Sequence, residues 1–497
     1  MATTRVIDTV NPAGGPDSAD GPMYVARKKI YPQKVAGTFR RIKWIVLVVT
    51  LGIYYLLPFV RWDRGPDAPD QAVLIDFVTK RFYFFFIEIW PQEFYYITGL
   101  LILAALALFL MNAVAGRVWC GYLCPQTVWT DLFLAVERLT EGDRRERIKR
   151  DNAPLSVETV LRRTAKHSLW FLIAWWTGGA WVLYFADAPT LVWQLATFTA
   201  PAMAYVWIGI LTFTTYTLAG HMREQVCLYM CPWPRIQAAL TDEEALNVTY
   251  RYDRGEPRGA MKRNAALREK GEPAGDCIDC FQCVNVCPTG VDIRDGSQLG
   301  CIQCGLCIDA CDTVMEKIGR PTRLIAYDTD LNVKARMEGK PTHVRVVRWR
   351  TAVYVGIIAL VGTAMLYTLL TRSSVGINVL HDRSPMFVRL TDGSVRNAYT
   401  LRLINKNHVA RTFEIGITDA AGNPIPGAEL TAIGDEDETD GRVAVTIGPD
   451  QTREVRAFVT IHDEPRGTVP ASMEIVFGIR DENGASAASA GDHFFGR

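Results

Sequence analysis

Five apolar runs constrain this chain more than any other feature. They lie at about 42–60, 94–116, 168–186, 191–220 and 351–371. Each is long enough to cross about 30 Å of hydrocarbon, which takes roughly 17–25 residues. The fourth is interrupted by Pro201, and the fifth stands far from the others. Composition fits a membrane protein with soluble parts. Hydrophobic residues make up 49% and charged ones 22%, yet mean hydropathy is only +0.06, so very apolar stretches are averaged with polar ones. A net charge of +1 gives no support to nucleic-acid binding, which concentrates basic charge. Ordinary Gly and Pro contents exclude a collagen-like or largely disordered chain.

Lys and Arg positions orient the spans. Arg27, Lys28, Lys29, Lys34, Arg40, Arg41 and Lys43 precede the first run, which places the N-terminus in the cytoplasm by the positive-inside rule. About forty mostly polar residues come first and no small-residue cleavage site follows, so the first run reads as a retained span and not a secretory signal. The loop between the second and third runs carries Arg144, Arg145, Arg147, Lys149, Arg150, Arg162, Arg163 and Lys166, as a cytoplasmic loop should. Residues 61–81 fit less cleanly, since Arg61, Arg64, Lys80 and Arg81 lie among four Asp.

The expected organisation is therefore a cytoplasmic segment at 1–41 and a four-span region at 42–220. A cytoplasmic insert at 221–348, a fifth span at 349–371 and an external domain at 372–497 follow. In that last domain the runs 399–405, 412–418, 442–448, 454–461 and 472–479 alternate apolar and polar residues. Turn clusters at Ala421-Gly422-Asn423-Pro424 and Asp481-Glu482-Asn483-Gly484 bound them. Such short strands predict an immunoglobulin-like β-sandwich, without Cys or Trp.

All twelve Cys fall between 120 and 311, on the side assigned to the cytoplasm, where they indicate metal or redox chemistry more than disulfides. Eight form Cys277-x2-Cys280-x2-Cys283-x3-Cys287-Pro288 and Cys301-x2-Cys304-x2-Cys307-x3-Cys311. This is the two-cluster ferredoxin spacing, in which the fourth Cys of each run ligates the other cluster. It predicts a 2[4Fe–4S] domain at about 270–320. One cluster takes Cys277, Cys280, Cys283 and Cys311, and the other Cys301, Cys304, Cys307 and Cys287. Zinc sites use paired, not fourfold, Cys runs. Asp312 stands where Pro commonly follows the last Cys.

The other four Cys repeat one pattern, Cys120-Gly-Tyr-Leu-Cys124-Pro125 and Cys227-Leu-Tyr-Met-Cys231-Pro232, each after an even-numbered span. If the helix continues, the i and i+4 sulfurs share a face. If it breaks, Pro125 and Pro232 suit the first position of a new helix, where the dipole favours a thiolate at Cys124 and Cys231. Either geometry gives soft ligands that select Cu(I), zinc or iron–sulfur species. His221 is a candidate further ligand of this site. Met222, Met230, His167 and the nearby Trp residues read as packing or interfacial groups.

Taken together, the two C-x3-C-P pairs, the ferredoxin insert, the further span and the β tail resemble the CcoG/FixG/RdxA family of cytochrome c oxidase accessory proteins. The resemblance covers all but roughly the first 25 residues. It implies a protein of the bacterial inner membrane that reduces Cu(II) to Cu(I) for assembly of a cbb3-type oxidase. Cys120, Cys124, Cys227 and Cys231 would handle the metal, which is substrate or transient ligand. Partners implied are a cytoplasmic electron donor, a copper chaperone, a copper-exporting P-type ATPase and the oxidase subunits, with self-association left open. Quinol–ferredoxin electron transfer of the NapH type and a redox-sensing assembly scaffold are the alternatives.

Overall fold

The computed structural model describes residues 29–66, 68–407, 409–433, 437–439, 442–462, 470–481 and 487–496. Arg27, Lys28 and most of the 481–484 turn lie outside them. By its internal contacts the chain divides into two units, one formed by Met1–Arg61 with Gln71–Met365, the other by Trp62–Asp70 with Leu366–Arg497.

Among the described residues four helices are long and apolar enough to cross a membrane: Thr38–Phe59, Pro91–Ala115, Ala202–Met222 and Trp349–Leu370. Their apolar surface is left largely uncovered, most of all in the last, as suits helices solvated by lipid. The third expected span lies on a longer helix, Val157–Val182, that is not among the four. Lys166, His167 and four Trp dilute its apolar content. Its 26 residues extend about 39 Å at 1.5 Å per residue, so length is no obstacle to crossing. The fourth run resolves into two helices that break around Pro201, which caps the second. Residues 73–89, read only as loop, contain a three-stranded antiparallel meander.

The helices before the ferredoxin ribbon are α1 (Thr38–Leu56), α2 (Tyr95–Ala115), α3 (Val118–Tyr122), α4 (Pro125–Glu141), α5 (Arg144–Asn152), α6 (Val157–Val182), α7 (Ala188–Ala196), α8 (Ala202–Thr215) and, after two π-helical turns, α9 (Trp233–Leu240). Small residues let α6 and α8 approach closely: a Cβ on Gly178 would come 2.9 Å from the Ile208 carbonyl. Charge joins the rest. Arg40 and Lys43 are buried and pair with Asp131 of α4 at 2.9 and 3.7 Å, so these two residues are structural ion pairs besides marking topology.

In the insert, Asn247–Tyr250 pairs antiparallel with Ile325–Asp328. Beside this ribbon Val248, Ile293, Ile308, Met315 and Leu324 form a core that includes Cys277, Cys283 and Cys311. The insert docks on the helices at several points. Asp309 accepts the Phe39 and Arg40 N–H groups at 3.2 and 2.8 Å, which caps α1 from outside its own sequence. Gly37 is needed there, because a Cβ would overlap the Asp309 carboxylate.

The second unit contains two antiparallel sheets. In one, Ala428–Ile433, Gln451–Ile461, Val395–Asn405 and Val375–His381 pair in that order, with Val388–Arg389 at Val395–Asn405. The other runs Asp437–Thr439, Arg442–Ile447, Arg411–Asp419, Ser472–Asp481 and Ala487–Phe495. Inward residues of both, such as Tyr399, Leu401, Val459, Phe413, Ile415 and Phe477, form one core. All five expected strands are present.

Candidate functional site

Both C-x3-C-P pairs break their helices between the cysteines. After the first pair's α3, Cys124 is extended (φ −60°, ψ 125°) and caps α4, with Pro125 in the first turn. In the second pair Cys227 lies in a π-helical turn, Val226–Met230, closed by Cys231 N–H donating to the Val226 carbonyl at 2.8 Å. Cys231 is extended (φ −82°, ψ 122°), and Pro232 caps α9. Extended geometry is what a following proline imposes.

The duplication reaches further back than the cysteines. Four residues before the first Cys of each copy stands a residue of unusual conformation: Gly116 (φ 53°, ψ −123°) and Arg223 (φ 46°, ψ −115°). Glycine tolerates this; arginine there is strained and must be held by its surroundings. Arg223 donates to Glu137 at 2.9 Å and to the Gly220 carbonyl at 2.8 Å, while Gln126 donates to the Arg223 carbonyl at 3.2 Å.

The two copies converge. The Cys120 thiol donates to Gln237 Oε1, on the helix that follows the second copy, at 3.4 Å. Burial pushes Cys120 up to about 12, with the Cys124, Cys227 and Cys231 thiols adding to the shift and Arg117 opposing it. Burial likewise pushes Cys227 up to about 12, helped by Cys124, Cys231 and Glu224. Four thiols are thus close enough to sense one another's charge. Access is graded: Cys231 is exposed, and the other three are partly covered. His221 is seated with His167, ring centroids 5.7 Å apart, and against Trp170 and Tyr216.

The eight remaining cysteines fall into two sets. Burial raises Cys311, and Cys283, Cys280 and Cys277 add to it. Burial raises Cys307 as well, with Cys301, Cys304 and Cys287 as the strongest added influences. Cys283, Cys287, Cys301, Cys304 and Cys307 line one cavity, closed by Val248, Val291, Ile293 and Leu306. In each run the residues on either side of the second Cys are left-handed, Asp279 and Phe281 in one, Gln303 and Gly305 in the other. Such alternation turns successive N–H groups inward and makes the anion-binding concavity typical of iron–sulfur sites. Thiols, cavity and backbone fit [4Fe–4S] clusters, although no set of three or more ligands stands preformed for a single metal ion among the described residues.

One thiol site abuts the other. A Cβ on Gly121 would lie 2.8 Å from the Ile302 carbonyl and 3.1 Å from Cys304 Cα. Tyr122 donates its hydroxyl to the Cys304 carbonyl at 2.9 Å, and Cys120 packs in the same apolar cluster as Cys304. Arg117, Gly121, Tyr122 and Gln303 did not stand out in the sequence. Aligning the two C-x3-C-P copies from Gly116 and Arg223 onward would have directed attention to Arg117.

Comparison with known proteins identifies iron–sulfur and Ig-like domains in this chain. Residues 222–330 match a 4Fe-4S dicluster domain, residues 97–140 a 4Fe-4S binding domain, and residues 365–497 the Ig-like fold at the C-terminus of FixG. Nitrogen fixation protein FixG of Rhizobium meliloti is 50% identical over 493 residues, covering 94% of this chain and 91% of its own. Protein RdxA of Cereibacter sphaeroides is 50% identical, covering 91% and 92%, and RdxB of the same organism 52% identical, covering 82% and 85%. The chain is an iron–sulfur membrane protein and belongs to the FixG/RdxA family.

Proposed function

We propose that this protein reduces Cu(II) to Cu(I) at the four C-x3-C-P thiols and supplies the product for copper-site assembly in a cbb3-type oxidase. The observation that carries the reading is that the first C-x3-C-P copy packs directly on the Cys301–Cys304 loop while Cys120 donates to Gln237 of the helix that follows the second copy. Thiolates prefer Cu(I) to Cu(II) and so favour the reduced ion. Each Cu(II) takes up one electron, supplied by a low-potential one-electron carrier of the cytoplasm. Each thiol pair alone would reduce two Cu(II) at the cost of one disulfide and then stop.

Cys277, Cys280, Cys283 and Cys311 would hold one [4Fe–4S] cluster, and Cys287, Cys301, Cys304 and Cys307 the other. When bound, the clusters supply one-electron redox capacity. The protein's own residues bury Cys277, Cys283, Cys304 and Cys311, present inward N–H groups and keep Cys231 open for metal exchange. The membrane is the bacterial inner membrane, with the insert cytoplasmic and the β domain periplasmic. A copper chaperone and a copper-exporting P-type ATPase receive or deliver the metal, and the β domain meets oxidase subunits.

The test is anaerobic. Protein containing about eight irons is reduced, freed of excess reductant and supplied with Cu(II) under continuous donor turnover, and Cu(I) is followed with a specific chelator. Wild type should form many Cu(I) per chain, and Cys120→Ser with Cys124→Ser should not. Unchanged turnover in the double variant would remove the role given to that pair. A second reading is favoured by the match of residues 97–140 to a 4Fe-4S binding domain, in which the only cysteines are Cys120 and Cys124: the four thiols hold a third cluster. About twelve irons per chain, falling to about eight in the double variant, would establish it.

A further inference from the structure

Arg117 is 7% exposed, at the junction between the two thiol sites. Its guanidinium donates to the carbonyls of Leu299, Cys301 (3.4 Å) and Pro234 (2.7 Å), and its backbone N–H to Gln303 Oε1 at 2.7 Å. It thereby ties together the first C-x3-C-P copy, the loop of the second ferredoxin run and the helix after the second copy. Carbonyls satisfy its hydrogen bonds but not its charge. Among the described residues no carboxylate lies within ion-pair distance of it. A buried cation without a counter-ion is costly, and the groups that favour its charge are the Cys301 and Cys120 sulfurs. The backbone does not itself call for a cation: Glu224 occupies the matching position in the second copy, also buried.

We propose that Arg117 is a positioning residue whose guanidinium joins the Cys287/Cys301/Cys304/Cys307 site to the C-x3-C-P thiols and stabilises negative charge on both. Its counter-ion is the anionic metal–thiolate group that these cysteines form when loaded. Only the copper arm of the experiment rests on the function proposed above.

Arg117→Gln and Arg117→Lys are prepared in the full-length, iron-loaded protein, and cluster midpoint potentials are read by EPR-monitored redox titration without copper. Losing a positive charge beside an anionic centre disfavours the added electron. Arg117→Gln should therefore lower the midpoint of one cluster and leave the other in place, whereas Arg117→Lys should keep both. With copper, Cu(I) formation should slow about tenfold in Arg117→Gln, which corresponds to about 1.4 kcal/mol. Two unshifted midpoints in iron-replete Arg117→Gln would overturn the proposal, whatever copper does. A shifted midpoint in a protein whose wild type forms no Cu(I) would overturn the function and leave Arg117's role standing. Should Arg117→Gln lose its iron, Arg117→Lys carries the test: retained iron with both midpoints unshifted supports the proposal, and a shifted midpoint or lost iron in Arg117→Lys overturns it.

Discussion

At the scale of single residues, the contact between the thiol sites depends on absent side chains as much as on present ones. Gly121 faces backbone atoms of Ile302 and Cys304, which cannot rotate away. Gly121→Ala should therefore cost about 1–3 kcal/mol as overpacking and lift the first C-x3-C-P copy from the ferredoxin loop. Lower thermal stability together with slower Cu(I) formation would be the measured result. Gly179, near the C-terminal end of α6, has nothing within 4 Å of a built Cβ. Gly179→Ala should raise helix stability by about 0.5–1 kcal/mol and leave copper reduction alone. Equal effects of the two changes would mean that the Gly121 contact is not what couples the sites. Accessibility gives a second expectation: in metal-free protein, Cys231 and Cys280 are the exposed thiols and should be alkylated first, with Cys304 and Cys311 among the last.

At the scale of elements, Glu137 is the hub of the helical bundle. Its buried carboxylate meets Arg147 of α5 at 2.8 Å, Arg223 of the π-helical junction at 2.9 Å and Lys166 of α6 at 4.0 Å. Glu137→Gln leaves these cations without their shared counter-charge and should cost about 3–5 kcal/mol. The loss should appear first as looser packing around Arg223, because that residue's strained backbone relies on the ion pair. Burial alone would raise the Glu137 carboxyl, but Arg223, Arg147 and Lys166 outweigh it and hold the group below its ordinary value of 4.5. A depressed carboxyl contributes fully above 4.5 and is lost as pH falls through the lower folded value. Unfolding midpoints of wild type and Glu137→Gln should thus stay separated from neutral pH down to 4.5 and converge only in stronger acid. Convergence above pH 5 would contradict the ion-pair account. Local sequence cannot announce such a hub, since its members come from four separate segments. What was legible was periodic: the strands around Leu401, Ile415, Val445, Val459 and Phe477, and the cysteine spacings. The strand Ala487–Phe495 was not, because Ala, Ser and Gly give little alternation, and the π-turns at Tyr216–Met222 and Val226–Met230 have no sequence period of their own.

At the scale of the whole molecule, contacts constrain how often the chain crosses the membrane. The segment Gly116–Cys124 follows the second apolar helix and touches the Ile302–Cys304 loop, so both lie on one side. An even number of crossings must then separate Cys124 from the insert. Ala202–Met222 is one such crossing, and α6 is the helix available for the other. Its Trp-rich composition lowers hydropathy, but Trp is at home at membrane interfaces and its rings are largely apolar. Five crossings with a cytoplasmic N-terminus follow as the prediction. Alkaline phosphatase, which becomes active only outside the cytoplasm, should be active when fused after Ala186 and inactive when fused after Gly142 or Lys340. Activity after Gly142 would invert the orientation; inactivity after Ala186 would mean that α6 lies along the membrane and that Ala202–Met222 also fails to span it, since the docked insert admits no odd count.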